Sequence, residues 1–172
     1  MANVDNPIGF YPVGHFTGGE IRSNEYTVTT GQTIYAGDPV QTVAAGTVQV
    51  IAATDGVKCI GIAVDYVYDG LSVGGKKIKV YDDPFIIFGV QCTTGQTPAA
   101  TEIGASADMI TYAAGSSTTY RSIMELAAIS AQTAMFLVLD KVDSPDNAWG
   151  EHCDVKVLFN EHRYKGAGAA GI

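Results

Sequence analysis

The chain has 172 residues, of which 47% are hydrophobic and only 16% charged, with a formal net charge of −8 at pH 7. That length suits one domain, with or without arms, and is enough to bury a core. Ten Lys and Arg against 18 Asp and Glu, with the densest cluster only Lys76, Lys77 and Lys79 at an expected hairpin, are too few to neutralise a phosphate backbone, so a nucleic-acid partner is not expected.

No run approaches the ~20 apolar residues of a membrane helix, and the polar opening Met1–Asp5 does not read as a signal peptide. No membrane partner is expected. The charged fraction falls below the ~25% usual for soluble domains. Either Thr and Ser coat the outer faces, or partners cover much of the surface, since exposed apolar patches aggregate.

Residues 1–24 lack alternation and carry Pro7, Pro12, Gly9, Gly14, Gly18 and Gly19 around three aromatics. They read as an extended N-terminal arm that becomes ordered by lying on its own domain or on a neighbouring subunit. Phe10, Tyr11, Pro12 and Phe16 are its candidate contact residues. On this reading, deleting residues 2–20 leaves the core folded.

Residues 25–164 read as a β-rich core. Strands are predicted over Thr33–Tyr35, Val40–Val43, Thr47–Ala52 and Cys59–Val67, with turns at Ala36–Pro39, Ala45–Gly46 and Thr54–Gly56. A Gly-rich loop over Asp69–Gly75 precedes a strand at Lys77–Tyr81. Asp82-Asp83-Pro84 then turns, because Pro fixes its own φ and biases Asp83 to an extended shape. Phe85–Cys92, the most apolar run, is expected to be a buried strand.

After the polar connection Thr93–Ala105, Ala107–Tyr112 fits a short helix or a strand, and the helix formers of Ser122–Ile129 predict a short helix. Strands at Met135–Asp140 and Asp154–Asn160 flank a turn at Ser144–Gly150. Residues 165–172 form a Gly/Ala tail too weakly patterned to hold itself in place. The fold expected is mainly β: a small barrel or tulip-like sandwich with one or two short helices. Ile60, Ile62, Val64, Phe85, Ile87 and Val157 should be buried in it.

Catalytic and metal-ligating patterns are weak. His152 and Cys153 are adjacent, but neighbours in a strand point to opposite faces and cannot easily share an ion. There is no CxxC, HxxxH or HExxH, no G-x-S-x-G elbow, and no phosphate-binding Gly loop. Asp82 and Asp83 read as turn chemistry rather than an acid–base pair. No catalytic residue, cofactor or metal is expected, and the chain does not read as an enzyme. Cys59, Cys92 and Cys153 lie in apolar strand contexts and read as free thiols suited to a reducing cytoplasm. Trp149, the only tryptophan, is either a strand-end anchor or an interface anchor.

The order G-x-x-I-x-x-G-D-P-V (from Gly31), A-A-G-T-V-x-V (from Ala44), D-G, then C-I-G-I-A-V (from Cys59) resembles the lambda-type head-decoration, or cement, proteins of tailed bacteriophages. A second likeness covers more of the chain. Small phage virion proteins share an opening N-P-x-G-F-x-P-V-G (Asn6–Gly14), a Y-D-D-P turn (Tyr81–Pro84), an S-P-D-N-A-W-G segment (Ser144–Gly150) and a closing N-E-H (Asn160–His162). The resemblance implies a structural virion protein, assembled in the host cytoplasm, that binds the outer face of the head and clamps neighbouring major capsid subunits. Its implied partners are the major capsid protein and itself, as a homotrimer at threefold positions. Two alternatives stay open. One is another small virion part, such as a head fibre base, tail-tube component or capsid protein; the other is a small metal-binding or hydrolytic domain.

Overall fold

A computed structural model describes residues 3–51, 59–69, 75–110, 115–130 and 133–165. The strands are β1 Tyr11–His15, β2 Asn24–Thr27, β3 Thr33–Ile34, β4 Pro39–Thr42, β5 Val48–Val50, β6 Cys59–Ala63 and β7 Val67–Tyr68. They continue as β8 Lys77–Tyr81, β9 Ile86–Gln91, β10 Ser106–Met109, β11 Leu126–Ser130, β12 Phe136–Lys141 and β13 Asp154–Phe159. A six-stranded sheet runs β1-β9-β13-β12-β10-β11, a five-stranded sheet runs β2-β8-β6-β4-β5, and β3 and β7 form a ribbon. The fold is a mainly β sandwich of antiparallel sheets rather than a closed barrel.

Two hydrophobic clusters explain which runs alternate and which do not. The larger joins the six-stranded sheet, through Phe88, Phe136, Val157 and Phe159, to Ile51, Cys59 and Ile62 of the second sheet. The smaller lies on the other face of that second sheet, where Ile60, Ala63, Val40 and Val80 meet Ile34 and Val67 of the ribbon. β6 is therefore covered on both faces, and all five of its residues are buried. A register shift opposite Val40 and Gln41 marks a bulge in β6, which lets Cys59 and Ile62 serve one cluster and Ile60 and Ala63 the other. β8, in contrast, alternates exposed Lys77 and Lys79 with buried Ile78 and Val80.

Three expectations are corrected. First, Ser122–Ile129 is not a helix. Leu126–Ser130 pairs with β10, and Leu126 enters the larger core, so tertiary pairing overrides a modest local helix preference. The only helical piece among the described residues is a 3-10 turn at Ala100–Glu102.

Second, Phe85 is 43% exposed. Its backbone N–H donates to Asp83 Oδ1 at 2.9 Å, a side-chain turn that delays strand pairing until Ile86. Ile86, Phe88 and Val90 then point inward, while Ile87 is half-buried. Ile60, Ile62 and Val157 are buried as expected, and Val64 is half-buried.

Third, the N-terminal segment is not an arm outside the domain. β1 pairs with β9, with Tyr11 opposite Gly89 and His15 opposite Ile86. Pro12 is tolerated because β1 is an edge strand, where a missing donor faces outward. Phe10 is 2% exposed and stacks on Phe136 with ring centroids 4.7 Å apart. Upstream, the Asn3 amide donates to the carbonyls of Ala148 and Glu151 and accepts the Ala148 N–H. Gln91 accepts the Asn6 N–H and donates to the Val4 carbonyl. Side-chain amides thus satisfy a backbone that Pro and Gly keep out of regular pairing. The turn expected at Thr54–Gly56, most of the Gly-rich loop after Asp69, and the tail beyond Lys165 lie outside the described residues.

Candidate interaction surface

A cleft of about 520 Å³ opens where β2 and β8 meet the Asp83-Pro84 turn; Arg22, Asn24, Tyr26, Asp82, Phe85 and Tyr164 line it. Two exposed aromatics stand on its rim, Phe85 and Tyr164, the latter 62% exposed. Phe16, 59% exposed, lies just after β1 and across from Phe85, its N–H donating to the Phe85 carbonyl at 2.8 Å. Large aromatics on a domain whose core is otherwise closed mark a surface suited to contact.

Beneath this rim the polar floor is fixed. Asp82 accepts two hydrogen bonds from the Asn24 amide and one from the Tyr26 hydroxyl at 2.5 Å. Burial, together with the bond to Asp82, pushes the Tyr26 phenol well above its ordinary range. Burial acts to raise the Asp83 carboxyl, but the Phe85 N–H and the His15 ring outweigh it and hold Asp83 below the usual carboxylate range. His15 Nδ1 in turn accepts the backbone N–H of Gly19 at 3.1 Å, which folds the segment after β1.

His162 supports the floor from inside. Its Nε2 bonds the Ile60 carbonyl at 3.0 Å and its Nδ1 accepts the Tyr164 N–H at 3.1 Å. That pairing requires the neutral ring protonated on Nε2. Burial pushes its pKa down to about 4, against the smaller opposing pull of the Ile60 carbonyl. A folded pKa below the unfolded value means the unfolded chain takes up the proton first. Stability is therefore lost as pH falls from ~6.5, the unperturbed histidine value, toward about 4. NMR titration of the His162 imidazole carbons should show a midpoint near 4. A midpoint near ~6.5 would contradict the buried assignment.

Asp38 works in the opposite sense. It is fully buried, accepts the Tyr35 N–H at 2.8 Å, and has its pKa raised by burial to about 6. Because its folded pKa exceeds the unfolded one, this group favours the folded state as pH falls through about 6.

A second, smaller cleft of about 170 Å³ is lined by Phe10, Tyr11, Pro12, Gly37, Tyr81 and Arg121. Near it three tyrosines form a row: Tyr35 to Tyr66 at 5.3 Å and Tyr66 to Tyr120 at 4.7 Å between centroids. Tyr66 and Tyr120 are exposed.

Of the five residues expected to make outside contacts, the fold leaves Phe16 free. Phe10 belongs to the core, so its assignment to a partner surface is corrected: its burial supports its own domain. Tyr11 and Pro12 are half-buried and line the smaller cleft. The Tyr11 ring lies over Gly89, where a Cβ would collide with it. Trp149 is partly buried and packs against the larger core. Its turn is held by Asn147, whose amide donates to the Val142 and Asp154 carbonyls and accepts the Asp154 N–H. The three cysteines are free and buried, and burial pushes the Cys59 and Cys153 thiols up to about 12 and about 11. Cys153 joins the larger core, and His152, with φ +56, sits in the turn before β13 rather than in the strand that the sequence suggested.

Sequence blocks far apart in the chain meet in pairs, at both ends of β9. Asn3 docks on the Ser144–Gly150 turn, β1 lies beside β9, His15 bonds Asp83 at 3.2 Å, and His162 lies close enough to Asp82 and Asp83 to feel their charge. Phe85, Tyr164 and the Asn24–Tyr26–Asp82 set were not among the expected site residues. The Y-D-D-P block was the available signal, since Asp82, Asp83 and Pro84 line the cleft. No protein-family model matches the chain, and no curated protein matches it.

Proposed function

We propose that this chain is a structural virion protein of a tailed phage, a decoration protein that binds the outer face of the assembled head and clamps neighbouring major capsid subunits. The observation that carries the reading is the group of exposed aromatics Phe16, Phe85 and Tyr164 on a charge-poor β sandwich. Aromatic side chains bury much area for few rotatable bonds, which suits a contact surface. The ordered sequence blocks that resemble phage decoration and virion proteins supply the choice of partner. Binding the mature shell and not its precursor stabilises that shell by mass action, and repeated contacts on a lattice add through multivalency. The subunit is expected to associate as a homotrimer.

Particle association tests this reading. Heads purified from cells infected by a phage carrying this gene should contain the chain in fixed ratio to the major capsid protein. Heads from the gene-deleted phage should assemble yet rupture at lower temperature. A chain found only in the soluble fraction, with heads of unchanged thermal stability, would overturn the assignment.

A further inference from the structure

We infer that Asp5, Glu125 and His152 form a binding site for one divalent transition-metal cation of the zinc type. Each offers one ligand atom, and the three atoms lie within 4.8 Å of one another. His152 Nδ1 is 3.8 Å from Asp5 Oδ1. The residues come from three separate places: the N-terminal segment, the approach to β11, and the turn before β13.

A second observation points to a ligand. Glu125 Oε1 and His152 Nδ1 are both enclosed by protein and have no hydrogen-bond partner among the described residues. Enclosed polar atoms without partners are costly. A cation shared by the cluster would satisfy both. The other Glu125 oxygen accepts the Thr93 hydroxyl at 3.2 Å, the kind of outer contact that orients a ligating carboxylate.

The donor set selects the metal. One imidazole with two carboxylates suits zinc, whereas magnesium and calcium prefer all-oxygen shells. Ligands ~2.0–2.2 Å from a tetrahedral zinc stand ~3.3 Å apart, so Asp5, exposed at the surface, closes the set by a small rotation. Water would complete the fourth position. Two carboxylates and a neutral imidazole carry a charge that a divalent cation cancels. The bound ion would staple the N-terminal segment to the ends of β11 and β13, independently of any capsid contact.

The test uses the full chain, stripped with a chelator and titrated with zinc chloride by calorimetry, with imidazole NMR read in parallel. One zinc per chain should bind, and the His152 resonances should shift while those of His15 and His162 stay in place. Asp5→Asn, a surface change that spares the fold, should weaken binding at least about tenfold, as should His152→Gln; Thr93→Val should weaken it about 10–100-fold. Excess magnesium chloride should not displace the zinc. Absence of stoichiometric binding, or unchanged affinity in both Asp5→Asn and His152→Gln, would overturn the assignment.

Discussion

Removing residues 2–20 is expected to unfold the domain rather than trim it. The deletion takes away Phe10, whose ring is enclosed in the larger core against Phe136. Phe10→Ala alone should cost about 3–5 kcal/mol, the range for emptying a core phenylalanine site. The deletion also strips β1 from β9, uncovering a long apolar strand edge that would pair with other chains. It further removes the Asn3 bonds to the Ala148–Glu151 segment. Circular dichroism of the truncated chain should show no cooperative thermal transition, or one lowered far beyond ~8 °C. A melting temperature matching the full chain would restore the view that this segment lies outside the domain.

Gly61→Ala should be the most damaging small substitution. Gly61 sits at the β6 bulge with φ +151, a conformation that side-chain-bearing residues rarely adopt. A Cβ there would overlap the Tyr81 carbonyl oxygen and lie 2.9 Å from Val80 Cγ1. Tyr81 and Val80 are the β8 partners of Ile62 and Ala63, so relief means opening the centre of the second sheet. The expected cost is about 4 kcal/mol or more. Gly46→Ala is the control. Gly46 also has positive φ, +74, but nothing lies near its missing Cβ, so its cost should stay at ~1–2 kcal/mol. Chemical denaturation of both variants checks the contrast, and equal losses would mean backbone conformation, not collision, sets the penalty.

How much of this was legible depends on whether local pattern and tertiary environment agreed. Lys77–Tyr81 is a strand to the residue because one face is wet and the other buried, so the sequence alternates. The start of the expected Cys59–Val67 strand was legible for the opposite reason, since burial on both faces of β6 gives an unbroken apolar run. That strand stops at Ala63, however, and Val67 passes to the ribbon. β1 was hidden because Pro12 and Gly14 erase alternation in an edge strand that a bulge already distorts. β11 was hidden because helix formers sit where cross-strand partners from β10 decide the outcome. Phe85 was assigned inward on hydrophobicity alone; the Asp83 side-chain turn ahead of it was recognised as a turn, but its effect on the strand start was not.

The surface was less legible than the fold. The cleft draws on residues 22–26, 82–85 and 164, and no spacing rule joins positions so distant. The Asp5, Glu125 and His152 cluster escaped for the same reason, because metal-ligand motifs report only ligands close in sequence. Aromatic content did point to contact residues, yet only burial separates Phe10, which holds the core, from Phe16, which faces out.

The central claim is that the aromatic rim binds a capsid face, and add-back to gene-deleted heads measures it most directly. Wild-type protein and the Phe16→Ser/Phe85→Ser double variant are each mixed with such heads, and occupancy per head is read after sedimentation. Both side chains are exposed, so the variant should melt with the wild-type protein. The account predicts saturating occupancy and restored thermal resistance for the wild type, with occupancy lost at least about tenfold in the variant, as expected when aromatic anchors are removed. Equal occupancy of wild type and folded variant, or failure of the wild type to bind heads at all, would contradict it.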